Sequence, residues 1–378
     1  MLLLLSLWGL TPLGEGAPLS APPAADEPGP ASIAQVVHVS VDGLRGDLLA
    51  ALLEREPERF PAFARLLREG ASTFDARTVV AHTNTLPNHA SMLTGRAVSM
   101  GPGAPLERTH GWTPNGDPAP GQSLHAVPPR TDYVASVFDV VHDHGGRTGM
   151  FASKTKFSLF ATSWGAELGA PDRMGEDHGR AKIDELELRF LILPLGASAQ
   201  PALRAFLEAQ EREPFAYAFL HWLDPDAAGH FVGWESAAWE AAVERVDGYL
   251  GELFAALDGD ARLAGRTALL LTADHGGRGR THSPHDVLEH ACVPFFVWGP
   301  GISAGADLYA LNAGRRLAPG SGLPGWDARP QPVRNAEAAN LALQLLGLPP
   351  VPGSLANRAQ DLALVQPALP HASVTHER

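Results

Sequence analysis

The sequence predicts an α/β fold, a mostly parallel central sheet with helices on both faces. Three observations carry that expectation. The β-branched run Val36 to Val41 and the apolar run Thr267 to Thr272 have the length and composition of buried strands. Stretches with helical spacing alternate with such strands along most of the chain. Hydrophobic residues make up 45% and charged residues 19% of 378 positions, enough apolar material for a sizeable core.

The elements follow in order. Leu2 to Leu5, then Leu7, Trp8 and Leu10, form an apolar run too short to span a bilayer, like the apolar centre of an export signal. The positive residues that usually precede such a run are missing. Ala and Pro dominate residues 17 to 32, which read as an extended linker. Residues 1–32 are therefore assigned to a signal segment and linker, 33–366 to a single catalytic domain, and 367–378 to a polar tail. Within the domain the first strand ends in Asp42-Gly43, and helical spacing covers Leu44 to Glu54 and, after Pro61, Phe63 to Arg68. A Pro/Gly-rich stretch from Gly101 to Arg130 reads as a long loop over the site. Helix Tyr133 to His144 then leads to strand Thr148 to Ala152, and helix Pro201 to Gln210 to strand Phe215 to Leu220. The long helix Ser236 to Leu257 precedes strand Thr267 to Thr272. A short strand, Pro294 to Trp298, and a late helix, Glu337 to Leu346, complete the series. Ligand sites in such sheets lie at the carboxyl ends of the strands.

Charge and cysteine content narrow the function. A net charge of −13 argues against binding of nucleic-acid polymers, which needs a basic footprint. It leaves open a small anionic substrate held by bound cations. The single cysteine, Cys292, rules out an intramolecular disulfide and a Cys-rich zinc module. Any metal must be held by Asp, Glu and the 16 histidines. No later segment has the length and apolarity of a membrane span, and the leader points to an exported protein.

Four segments carry chemistry. Asp42, at the end of the first strand, is either a cation ligand or a helix cap. Thr83-Asn84-Thr85-Leu86-Pro87-Asn88-His89 puts Thr85 at or just before a helix N-terminus, where backbone N–H groups favour negative charge. Asp226 and His230 are four apart, so one turn of helix aims both at one ion. Leu269 to Gly277 runs an apolar strand directly into Asp274-His275 and two flexible glycines, with His282, His285 and His290 close behind. Trp222, Phe231 and Trp234 are either a wall for a leaving group or ordinary packing.

Together these pieces resemble the type I phosphodiesterase and nucleotide pyrophosphatase branch of the alkaline phosphatase superfamily. The matching motifs are Ser40-Val41-Asp42-Gly43-Leu44-Arg45, Thr85-Leu86-Pro87-Asn88-His89 with Thr94-Gly95, His110-Gly111 with Asn115, Asp226-Ala227-Ala228-Gly229-His230, and Thr272-Ala273-Asp274-His275-Gly276. They keep the family's order across about residues 35 to 300. The resemblance implies an alkaline-phosphatase-like fold and two zinc ions. One would be held by Asp42, Asp274, His275 and the Thr85 hydroxyl, the other by Asp226, His230 and a third histidine. Asn115 would donate to a phosphoryl oxygen. In the nucleotide pyrophosphatases the third histidine comes long after the Asp-His pair. Here the nearest candidate, His282, lies seven residues after His275, with His285 and His290 as alternatives.

The implied reaction is hydrolysis of a small phosphorylated substrate, a phosphodiester or, as the second option, a phosphomonoester, through a phosphothreonine on Thr85. Two cations about 4 Å apart suit in-line phosphoryl transfer. A sulfatase would need a Cys or Ser where Thr85 stands. A phosphonate hydrolase, or a binding protein on an inactive phosphatase scaffold, are the alternative readings. The sequence encodes neither substrate identity nor oligomeric state.

Overall fold

The computed structural model describes residues 33–101 and 103–366. The expected signal segment, linker and polar tail lie outside the described residues. Chain order begins β1 (Gln35–Val41), α1 (Gly46–Arg55), α2 (Pro61–Glu69), β2 (Ala71–Arg77), α3 (Thr85–Thr94). It continues α4 (Val137–Asp143), β3 (Thr148–Ala152), α5 (Ser158–Ser163), β4 (Glu185–Leu188), β5 (Leu191–Leu193), β6 (Gly196–Ser198), α6 (Gln200–Arg212). The second half holds β7 (Tyr217–Trp222), α7 (Asp224–Phe231), α8 (Ala237–Gly259), β8 (Thr267–Thr272) and α9 (Leu288–Ala291). It closes with β9 (Cys292–Trp298), β10 (Ala306–Asp307), α10 (Leu308–Leu311) and α11 (Ala338–Leu345).

Eight strands form one sheet in the order β10-β2-β9-β8-β1-β7-β3-β4, and β5 and β6 form a separate hairpin. Only β9 runs against its neighbours, so the main sheet is mixed but mostly parallel, as expected. β1, β7 and β8 are buried along their whole length, which explains their mostly apolar character. Among the described residues no helix is long and apolar enough to cross a membrane.

Register turns this topology into a site. Ser40 of β1 lies opposite Thr272 of β8 on one side and His221 of β7 on the other. His221 in turn lies opposite Ala152 of β3. The four strands β8, β1, β7 and β3 therefore end level with one another. The loops that leave them carry Asp274 and His275, Asp42, Asp226 and His230, and Lys154.

Three local expectations shift. The helix expected from Tyr133 begins at Val137, because Ser136 and Asp139 form a reciprocal capping box that fixes its start. Strand β7 runs two residues further than expected and takes His221 and Trp222 into the sheet, where both are fully buried. Strand β2 was not foreseen. Its pairing with β9 shifts register between Thr73 and Ala76, and that irregularity removes the alternation a sequence pattern depends on.

Candidate metal centre

Each candidate sits where its local chain geometry aims it. Gly43 adopts φ +70, and a side chain there would meet the Asp226 backbone at 2.8 Å. This close approach lets the β1 end and α7 share one space, and the Asp226 N–H donates to the Asp42 carbonyl at 3.0 Å. Asp226 and His230 lie one turn apart on α7, 3.3 Å between Oδ1 and Nε2. The neighbouring Asp224 turns the other way and accepts from Ala199 N–H and the Tyr249 hydroxyl.

Thr85 opens α3, but the residue in the capping position is Asn84, whose side chain makes no capping bond. The Thr85 hydroxyl has no hydrogen-bond partner among the described residues. The ordinary role for a threonine at this place is thus unfilled. Its segment is clamped on both sides. Thr83 and His282 exchange hydrogen bonds through hydroxyl, ring and carbonyls at 2.5 Å each. Leu86 N–H donates to Asn115 Oδ1 at 3.0 Å, which leaves the Asn115 amide nitrogen as its donor end.

Two groups of ligand atoms converge, Asp42 with Asp274 and His275, and Asp226 with His275 and His282, each set within 4.8 Å. His275 Nε2 lies 3.3 Å from both Asp42 Oδ1 and Asp274 Oδ2. The rings of His275 and His282 stack at 3.6 Å. His285 is exposed and outside both groups, and His290 is buried with Nδ1 against the Pro284 carbonyl. His230 sits at the rim, its Nε2 3.1 Å from His282 Nε2.

The three imidazoles share one arrangement. His275, His282 and His230 each place Nδ1 on a backbone carbonyl, of Gly276, Thr83 and Arg280 respectively. A carbonyl can only accept, so Nδ1 carries the proton and Nε2 presents a lone pair toward the carboxylates. Burial lowers the pKa of His282 and holds His275 down to about 3, so both stay neutral.

The carboxylates fit cations. Asp42 Oδ1, Asp226 Oδ1, Asp274 Oδ2 and His275 Nε2 are buried without hydrogen-bond partners. Unpaired buried oxygens of this kind are costly unless a cation meets them. Burial and the Asp42 charge push Asp274 well above the usual carboxylate range. Burial would do the same to Asp42, but the Lys154 ammonium, with a hydrogen bond from His221, outweighs it and holds Asp42 well below.

Lys154 is the main residue that sequence reasoning missed. Its Nζ bridges Asp42 Oδ2 at 2.5 Å and Asp226 Oδ2 at 2.6 Å, one carboxylate from each expected site. Lys156 follows, 3.4 Å from Asn115 Oδ1. Both leave the carboxyl end of β3, so the rule that ligands gather at strand ends was the available signal. A supporting layer was missed too. His221 Nε2 lies 3.0 Å from Asp42 Oδ2, and His89 links Ser40 to the Thr85 carbonyl. Asn335 donates to Asn88 Oδ1 and to the Ala273 and Asp274 carbonyls, bracing α3 against the loop after β8.

The aromatics divide. Trp222 is fully buried against Tyr249, and Phe231 is 57% exposed. Trp234 is sandwiched, since side chains at Gly229 or Gly277 would meet its ring at 2.6 Å and 2.1 Å. Gly277 thus gives room for a tryptophan, where the sequence suggested loop flexibility.

The comparisons with known proteins bear on the family and the fold. The family model described as type I phosphodiesterase / nucleotide pyrophosphatase matches residues 36–100 and 112–287. Murine ectonucleotide pyrophosphatase / phosphodiesterase 5, in an inactive form in complex with AMP, superposes with a TM-score of 0.53 at 16% identity. That match covers 87% of this chain and 99% of the murine one. The human counterpart gives 0.55 at 14% identity, over 87% and 99%. The lipoteichoic acid synthase LtaP of Listeria monocytogenes gives 0.51 at 13% identity, over 89% of this chain and 74% of its own. At such identities the likeness is one of fold. No curated protein matches by sequence. The family match takes in the strand ends that carry Asp42, Asp226 and Asp274, and it spans well over half the sequence. The chain therefore belongs to the type I phosphodiesterase / nucleotide pyrophosphatase family, hydrolases of phosphoric ester bonds.

Proposed function

We propose that the chain hydrolyses phosphodiester bonds with Thr85 as nucleophile and two zinc ions as cofactors, within a single catalytic domain over 33–366. The observation that carries this reading is the shared geometry of the imidazoles. Three Nε2 lone pairs face buried carboxylate oxygens that have no hydrogen-bond partner, and the Thr85 hydroxyl has none among the described residues either. Asp42, Asp274, His275 and the Thr85 hydroxyl would hold one ion, and Asp226, His230 and His282 the other. When bound, two such ions supply a lowered hydroxyl pKa at the nucleophile and charge relief at the leaving oxygen.

The chain's own groups do the rest. Thr85 Oγ1 attacks phosphorus in line and the ester oxygen departs, leaving a phosphothreonine that water then hydrolyses. The N-terminus of α3 and the Asn115 amide face the equatorial oxygens. His221 and His89 hold Asp42 and the Thr85 turn in place. Hydrolysis of bis-p-nitrophenyl phosphate that is lost on chelation and restored by Zn²⁺ tests the proposal. Absence of turnover on aryl mono- and diesters by the zinc-loaded protein would refute it. Export remains part of the proposal and rests on the apolar leader alone.

Lys154 and Lys156 favour a second reading, in which phosphomonoesters are the better substrates. A monoester carries one more charged oxygen than a diester, and both ammonium groups stand at the edge where it would lie. Lys154 is paired with two carboxylates, so Lys156, whose partner is an amide oxygen at 3.4 Å, is the more available. On this reading Lys156→Ala lowers kcat/KM for p-nitrophenyl phosphate at least about tenfold and for the diester much less. Equal losses on both would show that Lys156 does not read the extra charge.

A further inference from the structure

We infer that the chain has a second anion site, distinct from the metal centre, for a small oxyanion of the phosphate or sulfate type. It is a cavity of about 270 Å³ between the segments 315–337 and 355–361, in a part of the chain that the family match does not reach. Five guanidinium groups line it, those of Arg315, Arg316, Arg329, Arg334 and Arg358, against only two carboxylates, Glu337 and Asp361. This is a concentrated positive lining in a chain whose net charge is −13.

The pairing inside the cavity is uneven. Arg316 takes both carboxylates, at 3.1 Å from Glu337 and 3.2 Å from Asp361. Arg315 reaches only the Asp361 backbone carbonyl, and Arg329 only the carbonyls of Trp326 and Ala328. Arg334 is 2% exposed and bonds to carbonyls of Thr78 and Pro324 and the Gln331 amide oxygen. Arg358 has no side-chain partner among the described residues. Four guanidinium groups in one cavity thus form no ion pair among the described residues, although the Glu337 charge acts on Arg334. Burial pulls Arg334 down to about 10, and the Glu337 charge, which acts the other way, does not offset it.

Trp326 Nε1–H is buried with no acceptor, and Arg334 lies over the indole ring at 4.8 Å. Buried N–H groups are rarely left unpaired. A tetrahedral oxyanion offers acceptors in several directions at once, and planar guanidinium forks bind such oxygens in pairs. One anion in this cavity would meet the guanidinium groups that form no ion pair.

Calorimetric titration with sodium sulfate at low ionic strength tests the site, with sodium chloride at matched ionic strength as the control. Saturable sulfate binding is expected, absent with chloride and displaced by inorganic phosphate. Arg329 and Arg358 are both exposed, so Arg329→Ala/Arg358→Ala should fold normally and weaken sulfate binding at least about tenfold. Thr85→Ala and the chelated protein should bind sulfate like the parent, which separates this cavity from the metal centre whether or not that centre works as proposed. No saturable uptake, unchanged affinity in the double variant, or loss of binding on chelation would each overturn the inference.

Discussion

Thr85→Ala should reduce turnover of bis-p-nitrophenyl phosphate by at least about a thousandfold, the scale seen when a covalent nucleophile is removed. Metal content should stay near that of the parent. The two effects separate because Thr85 would contribute one hydroxyl to the first site, whereas Asp42, Asp274 and His275 would remain to hold the ion. Stability should change little. The hydroxyl caps no helix and bonds to no described residue, so its loss strands no buried partner. Kinetics and metal analysis on the same preparation check both halves. Activity retained within a few-fold would move the nucleophile elsewhere. Loss of metal along with activity would make Thr85 chiefly a ligand.

His282→Ala should lower metal content from about two ions per chain toward one and cost at least about a hundredfold in activity. His285→Ala should leave both near the parent. The contrast follows from position. His282 is buried, its Nδ1 fixed on the Thr83 carbonyl and its Nε2 3.7 Å from Asp226 Oδ1. His285 is exposed and belongs to neither ligand group. Zinc measured after dialysis distinguishes the two variants, and the reverse order would reassign the third histidine. His282→Ala also removes the bonds to Thr83, so some loss of activity can come from a displaced Thr85 turn. Metal content is therefore the decisive readout.

Much of this arrangement was legible because the responsible residues sit in regular surroundings. β1 and β8 are buried on both faces, so their apolar runs stand out, and a carboxylate follows each within two residues, Asp42 and Asp274. The four-residue spacing of Asp226 and His230 is the pitch of α7. Spacing could not choose among His282, His285 and His290. That choice depends on a turn in which Arg278 and Thr281 exchange backbone hydrogen bonds and His282 comes to rest under Thr83. Lys154 and Lys156 carried no motif. Their importance comes from β3 lying beside β7, a pairing between strands 65 residues or more apart that no local pattern encodes. The bracing by Asn335 of Asn88 and the loop after β8 is likewise a tertiary contact, made by a residue far along the chain from both. Gly277 looked like a hinge because glycine permits many conformations, while its neighbour Trp234 gives it a steric reason instead.

The central claim, a covalent phosphothreonine on Thr85, is tested most directly by the stereochemistry at phosphorus. A chiral thio-substituted aryl phosphodiester is hydrolysed by the zinc-loaded protein in isotopically labelled water, and the configuration of the product is determined. Attack by Thr85 followed by attack of water makes two in-line displacements, so the account expects net retention. Net inversion would mean that water displaces the leaving group directly, and would contradict it.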